Sequence, residues 1–373
     1  MEITTFVLKI ASRCNLNCSY CYMYNKGDNT FETQPKFMSL ETINHLADRI
    51  STHIGNLDLD GKNIHITFHG GEPMLASKYF FKKATKILNS KIRARIIYSI
   101  QTNGTLLSAE WIDLFNELEI NIGISIDGPK EYHDFYRKFH NDNGSYDIIF
   151  RNLENGALIS KFGILFVVNP LIPAKKLYSF IKEKKIGILN LLLPDHHYED
   201  VPNFVNPNDI KIDIGNWMVE LYQLWKLDIE RPNISFFENI IKSFFELSGG
   251  TQILGRCFND VVCIETDGSI EVVDSLRTCE NGITKNNLNV KYNNIEDIFE
   301  NELYKLYYYS HFNVNQKCKE CEVLNFCGGG FLPHRYSKIN KFDNQSIYCN
   351  DLFKLITYIE KDIKHEIKKH AIN

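Results

Sequence analysis

Three cysteines stand within eight residues near the start of the chain, as Cys14-Asn-Leu-Asn-Cys18-Ser-Tyr-Cys21, and the next is Cys257. Thiols this crowded either close disulfides or ligate metal, and the redox compartment decides between the two. The N-terminus, Met1-Glu2-Ile3-Thr4-Thr5, has no basic segment leading into an apolar one. No signal peptide is therefore expected, and the chain is expected to be cytoplasmic, with reduced thiols. Metal ligation is then the expectation for the ten cysteines, at 14, 18, 21, 257, 263, 279, 318, 321, 327 and 349. The chain is long enough for two or three domains of about 150 residues, and 44% hydrophobic with 24% charged residues suits a folded globular protein. A net charge of −4 argues against a nucleic-acid binder that relies on a basic surface. No apolar run reaches the ~20 residues needed to span a bilayer, so no membrane partner is expected.

Residues 3–10 read as a buried strand running into the first cysteine loop. Strands and helices then alternate: helix 39–54, strand 64–68, helix 77–90, strand 95–100, helix 108–117, strand 119–126, helix 147–156, strand 161–168, helix 174–184 and strand 187–193. This α/β alternation implies a parallel sheet with outer helices. Polar and glycine motifs end the strands, at Gly70-Gly71, Gln101-Thr102-Asn103-Gly104 and Asp127-Gly128-Pro129, where parallel α/β barrels place their ligand groups. About 190 residues is short for eight units, so a partial (β/α)6 barrel over residues 1–200 is expected. Residues 201–250, aromatic-rich at helical spacing, read as bridging helices with a boundary at Ser248-Gly249-Gly250. Residues 251–373 read as a small cysteine-rich domain of short strands and loops, closed by a Lys/Glu-rich helix over 350–369.

Three closely spaced thiolates suit three irons of a [4Fe–4S] cube and leave the fourth iron open. A structural zinc site would want a fourth ligand close in sequence, and none follows. His45 and His53, on the next helix, read as surface or core histidines. The C-x3-C-x2-C spacing after a first strand, followed by Tyr22, resembles the radical S-adenosylmethionine (SAM) superfamily. The resemblance implies that the open iron binds the amino and carboxylate groups of SAM, and that reductive cleavage yields methionine and a 5′-deoxyadenosyl radical. A flavodoxin- or ferredoxin-type reductant follows from that one-electron cleavage. Other segments fall where the resemblance expects them. In Gly70-Gly71-Glu72-Pro73 the glycines permit close backbone approach, and Glu72 is expected to accept from the SAM ammonium. Asn103 and Ser125 stand at later strand ends, Arg137 is the expected partner of the SAM carboxylate, and Tyr20 is expected against adenine.

The C-terminal third carries Cys257-x5-Cys263-x4-Gly268, Cys279, Cys318-x2-Cys321-x5-Cys327 and Cys349. This set resembles the SPASM extension of radical SAM enzymes, which holds two auxiliary [4Fe–4S] clusters. The resemblance implies that Cys318, Cys321, Cys327 and Cys349 fully ligate one, and that Cys257, Cys263 and Cys279 hold the other. One position departs from the pattern, because Phe331 stands where SPASM usually has a further Cys. The inner cluster is then left with an open iron, a ligand such as His334 or Asp274, or a substrate ligand. A zinc knuckle of Cys318, Cys321 and Cys327 is the plainer alternative.

Four segments narrow the resemblance: 11–18, 265–276, 327–336 (Cys-Gly-Gly-Gly-Phe-Leu-Pro-His-Arg-Tyr) and 342–349. Together they resemble the Xye/Fxs group of peptide maturases, the three-residue cyclophane-forming enzymes. What that implies is a C–C cross-link in a ribosomally made precursor peptide, the partner and substrate. A hydrogen leaves the Cβ of the third residue of an aromatic-x-x motif, and the carbon radical adds to the aromatic ring. Loss of an electron and a proton restores the ring, with an auxiliary cluster as the expected electron acceptor. A base must take the ring proton, and the candidates are Asp195, His196 and His197 after the sixth strand, and Asp274. Asp267, in Thr-Asp-Gly, reads as a turn residue.

The alternative enzyme is an anaerobic sulfatase maturase, which oxidises Ser or Cys to formylglycine. It shares the barrel, the Ser-Ile-Asp-Gly-Pro segment and a SPASM extension. Phe331 and Glu280 depart from its pattern, the second where that family places an Asp. A reading of another class is a non-catalytic iron–sulfur electron carrier, but such a protein needs no SAM pocket. The barrel begins at residue 3, so no N-terminal recognition domain is expected, and a separate precursor-recognition protein is a further expected partner.

Overall fold

The computed structural model describes residues 1–55, 63–154, 159–202, 204, 213–247 and 250–371. The expectations on 205–212 and on Ser248-Gly249, and the end of helix 147–156, lie outside the described residues. The strands are β1 (Thr5–Ala11), β2 (Ile64–Gly70), β3 (Ile96–Thr102), β4 (Ile120–Ser125), β5 (Gly163–Val167), β6 (Ile188–Leu192), β7 (Asn233–Ile234), β8 (Val261–Ile264) and β9 (Ile270–Glu271). Packing divides the chain into two compact units whose segments interleave along the sequence.

The first unit comprises Met1–Ile126, Lys130–Gly163 and Asp260–Tyr308. Its strands run in the order β4-β3-β2-β1-β8-β9. All neighbours are parallel except β9, which returns antiparallel to β8. β1 is buried along nearly all its length, as expected of a parallel strand covered on both faces. The helix Leu40–Gly55 turns Ile43, Leu46, Ala47, Ile50 and Ile54 inward, one apolar stripe at helical spacing. The helix Lys78–Lys91 starts at Ser77, whose side chain accepts from the Phe80 amide. It buries Phe81 edge-on between Phe68 and Phe115, centroids 5.2 and 5.3 Å away. Each such ring contributes about 1.5–3 kcal/mol by burial.

Residues 260–308 join this unit because β8 extends the sheet beyond β1, with Val7 opposite Cys263. The stretch 251–373, expected as one domain, is thus shared between the units. Cys263 and Cys279 lie with Cys14, Cys18 and Cys21 in the first. Cys257, Cys318, Cys321, Cys327 and Cys349 lie in the second.

The second unit comprises Asp127–Pro129, Ile164–Asn259 and Tyr309–Asn373. The Val168 amide donates to the Leu192 carbonyl beside β5 and β6, and β6 pairs parallel with β7. The helices Ile214–Leu227 and Ser235–Phe244 bear out the helical spacing read there, and the closing helix runs Cys349–Ala371. Trp217 and Trp225 are buried with each indole N–H donating to a backbone carbonyl at 2.7 Å, which removes the cost of burying that donor. Among the described residues no helix is long and apolar enough to cross a membrane.

Candidate functional site

The loop after β1 is fixed from two sides. The Gly71 amide donates to Ala11 O at 2.8 Å, and the Glu72 amide to Arg13 O at 3.0 Å. Across the loop, Asn17 N donates to Lys138 O at 2.7 Å and Ser19 N to Tyr136 O at 3.1 Å. A Cβ on Gly70 would stand 2.2 Å from Ala11 O, and one on Gly71 would stand 2.4 Å from Arg13 O and 2.0 Å from the Tyr24 hydroxyl. The close approach read from these glycines is thus an approach to the chain's own cysteine loop. Gly71→Ala should destabilise the protein by roughly 2–3 kcal/mol, the upper range for overpacking. Denaturant unfolding under anaerobic conditions checks this, and an unchanged midpoint would refute the clash.

Cys14, Cys18 and Cys21 form no disulfide. Cys14 Sγ accepts from the Leu16 amide at 3.3 Å and lies 3.7 Å from Asn103 Nδ2. Burial pushes the Cys14 thiol up to about 12 and the Cys21 thiol to about 11. Thiols so disfavoured as free anions need a cationic partner to ionise, which fits a loop made to hold iron. Asn103 also donates to Asn15 Oδ1 at 2.9 Å, and its own Oδ1 accepts from Thr105. Arg137, 8% exposed, donates to the Tyr20 hydroxyl at 2.6 Å, and its charge acts on Cys21. Ser125 Oγ accepts from Gln101 Nε2 at the strand ends. The structure therefore gathers Tyr20, Asn103 and Arg137 around the cysteine loop.

Glu72 is fully buried, and burial raises its pKa. Three internal donors hold its carboxylate: the Met74 amide and the Thr102 hydroxyl on Oε1, and the Asn103 amide on Oε2, at 2.8–2.9 Å. Glu72 thereby ties the β2 turn to the β3 turn, with three of its roughly four acceptor sites filled from within the chain.

Within β1 and β2, Lys9 stands opposite His69 in the parallel register. Lys9 has no solvent exposure. Its ammonium pairs with Asp274 Oδ2 and donates to His69 Nδ1 at 2.9 Å, with the Tyr22 hydroxyl 3.3 Å away. Tyr22 donates to the same Asp274 oxygen at 2.5 Å. Asp274 Oδ1 has no partner among the described residues. One oxygen of Asp274 is anchored and the other is open, in a residue reached directly from the loop position after Cys21. His53, by contrast, is a core residue held by Glu296 and Ile3 O, and Asp267 accepts from Ser269 N in its turn.

Burial lowers Lys9 from 10.5 to about 8. Below pH 8 both folded and unfolded chains carry this proton. From there to 10.5 the folded chain releases it first. Stability relative to Lys9→Met should therefore rise by up to about 3 kcal/mol between pH 8 and 10.5. Denaturation at several pH values measures the difference, and a flat difference would remove the desolvated ammonium.

The turn that carries Asp274 is held by charge. Arg277, 1% exposed, donates to Glu265 at 2.7 Å and Glu271 at 2.9 Å, and Glu271 also takes Lys285 and the Thr284 hydroxyl. Cys263 lies beside these charges and Lys9, its thiol pushed up to about 12 by burial.

In the second unit Cys318, Cys321, Cys327 and Cys349 act on one another electrostatically, and each of Cys318, Cys327 and Cys349 is raised, burial being the largest cause. Gly329 N donates to Cys327 Sγ at 3.2 Å and Gln345 Nε2 to Cys349 Sγ at 3.3 Å. The buried Arg335 guanidinium donates to the carbonyls of Gly328, Gly329, Gly330 and Ser310 and places a positive charge by Cys318 and Cys327. This donor set fits a four-thiolate cluster. Cys257 Sγ lies 3.7 Å from His311 Nδ1. His334 is 1% exposed and packs edge-on to Phe331 and Tyr348. His197 Nδ1 accepts from the Glu199 amide at 3.1 Å, while His196 pairs with Asp200 at 2.9 Å. Asp195 precedes them in the same unit. Among the described residues no three His, Cys, Asp or Glu side chains converge on a single-ion site.

The model of the radical SAM superfamily matches residues 8–167, from within β1 to the end of β5. This chain belongs to the radical SAM superfamily. Membership implies a [4Fe–4S] cluster and SAM, and makes the protein an enzyme. Over 375 residues the chain is 28% identical to a cysteine-type anaerobic sulfatase-maturating enzyme of Clostridium perfringens (strain 13 / Type A), covering 95% of this chain and 96% of that one. A solved structure described as native anSMEcpe with bound AdoMet and Cp18Cys peptide matches with a TM-score of 0.80 at 24% identity, over 98% of this chain and 99% of the other. Streptococcus suis SuiB bound to precursor peptide SuiA matches with a TM-score of 0.57 at 15% identity, over 93% and 76% of the two chains. The structural likenesses establish an α/β radical SAM fold with a parallel sheet and outer helices.

Sequence reasoning passed over Lys9, Tyr22 and His69 as site residues. A signal was present: a lone lysine in the apolar run Phe6-Val-Leu-Lys-Ile-Ala11 must find a buried counter-charge or pay heavily for desolvation.

Proposed function

We propose that this radical SAM enzyme removes two hydrogens from a peptide substrate, one as a hydrogen atom and one as a proton taken by Asp274, with the remaining electron passing to an auxiliary cluster. Cys14, Cys18 and Cys21 would hold the cluster that binds SAM, with Gly70, Gly71, Asn103, Ser125, Arg137 and Tyr20 around it. Cluster and SAM, when bound, supply the 5′-deoxyadenosyl radical that takes the hydrogen atom. The observation that carries the assignment of the base is the open Oδ1 of Asp274, whose other oxygen is held by Lys9 and Tyr22. A carboxylate anchored this way is oriented with one oxygen left to accept a proton, as a general base requires. Asp195 and His197 stay as second candidates, and the Nδ1 of His197 already accepts a backbone hydrogen bond. Cys318, Cys321, Cys327 and Cys349 would hold an outer auxiliary cluster, and Cys257, Cys263 and Cys279 an inner one. A flavodoxin- or ferredoxin-type reductant is part of this proposal, as is a separate precursor-recognition protein.

The sulfatase-maturating relatives, matched over nearly their whole length, favour oxidation of a Ser or Cys side chain to an aldehyde. A second reading, a three-residue cyclophane between an aromatic ring and the Cβ of the second residue after it, is favoured by Phe331 in the Cys-Gly-Gly-Gly-Phe segment. The cyclophane and the aldehyde made from Ser each lose two hydrogens, whereas the aldehyde made from Cys also exchanges its sulfur for a water oxygen. Tandem mass spectrometry of a candidate precursor, treated anaerobically with the enzyme, separates them. An aldehyde trapped by hydrazine at one Ser or Cys supports the first. Fragmentation blocked between an aromatic residue and the second residue after it supports the cyclophane. No mass change with any peptide, while SAM is still cleaved, would overturn a peptide substrate.

A further inference from the structure

His69, half-buried, is the last residue but one of β2, and its ring is oriented by Lys9, which also holds Asp274. An ammonium has only protons to offer, so Nδ1 must be the acceptor and Nε2 must carry the hydrogen. Burial first, and then the Lys9 charge, lower its pKa and disfavour a second proton on the ring. Nε2 has no partner among the described residues. One buried ammonium therefore contacts two residues that each keep an open atom: the Oδ1 of Asp274 and the Nε2–H of His69.

We infer that His69 is a substrate-binding residue whose Nε2–H donates to a backbone amide carbonyl of the peptide, next to the side chain whose proton faces Asp274. This rests on the assignment of Asp274 as base. The charge pattern selects the ligand class. An anionic oxygen at this point would meet the Asp274 carboxylate, whereas a neutral carbonyl takes the N–H without repulsion. A carbonyl held there fixes the backbone of the reacting residue, so His69 sets which residue of the peptide is presented.

The test uses the reconstituted holoenzyme, the peptide that loses two hydrogens with it, and a reduced-amide analogue of that peptide lacking the carbonyl beside the reacting residue. His69→Leu should raise the KM for the peptide about tenfold, the scale of one lost hydrogen bond at a desolvated site. His69→Gln presents an acceptor to Lys9 and an amide N–H outward, and should restore KM to within about threefold. The reduced-amide peptide should bind wild type and His69→Leu alike. Exchange of the exposed His65 on the same strand for Leu controls for the strand itself. An unchanged peptide KM in His69→Leu, or a glutamine variant as impaired as the leucine variant, would overturn the inference. So would a rise confined to the KM for SAM, which would assign the N–H to the cofactor. Product formation by Asp274→Asn at the wild-type rate would sink the base alone, since the peptide KM of the His69 variants is read separately.

Discussion

Asp274→Asn should lower the rate of product formation by about 10²–10⁴, the contribution of a positioned general base. Asparagine keeps the size and the contact with Tyr22 but cannot take a proton. It also leaves Lys9 as a buried ammonium without its counter-charge, which adds a destabilisation of about 3 kcal/mol or more. The kinetic and structural losses are separable. The ratio of 5′-deoxyadenosine to product should rise in the variant, because the block falls after hydrogen abstraction, while a merely misfolded variant loses both together. Lys9→Met with Asp274→Asn removes charge and counter-charge at once and should recover most of the stability and none of the product. Wild-type product formation by Asp274→Asn would return the role to Asp195 or His197.

Replacing Cys14, Cys18 and Cys21 together by alanine should reduce 5′-deoxyadenosine formation to background and lower the iron content by about four per chain. The thiols are buried and raised, so free ligands in this loop would be protonated and the site would not assemble around a lesser set. The triple variant of Cys318, Cys321 and Cys327 should lose the same amount of iron yet keep a SAM-binding loop, since those residues belong to the other unit. Iron analysis with SAM cleavage distinguishes the two sets. Full SAM cleavage by the variant at 14, 18 and 21 would dissolve the assignment of the loop.

Most of the first six strands and their helices could be read from apolar runs, strand-end glycines and helix caps, because each is a local pattern. Strand ends moved by one or two residues. The helix Lys130–Tyr136 was missed, being a seven-residue turn with little apolar face. The cysteine spacing pointed to the superfamily because ligand geometry constrains sequence spacing directly. The partnership of Lys9 with Asp274 was not legible, since it spans 265 positions and depends on which strand β8 chooses as neighbour. The internal donors of Glu72 were not legible for a related reason: nothing local in the sequence links a carboxylate after a glycine pair to the Thr102-Asn103 turn.

The pairing of β8 with β1 has a consequence for the nascent chain. β1 is made about 250 residues ahead of β8, and the edge that β8 covers stays bare until Val261–Ile264 have been synthesised. At about 5–20 residues per second that interval is of the order of tens of seconds. During it, a nearly all-apolar strand presents unpaired backbone groups, the arrangement that recruits other chains. The cysteine loop hangs from the end of that strand while Asp274 and its partner turn do not yet exist. The cysteine loop and the turn that carries Asp274 therefore meet only after the last third of the chain has been made.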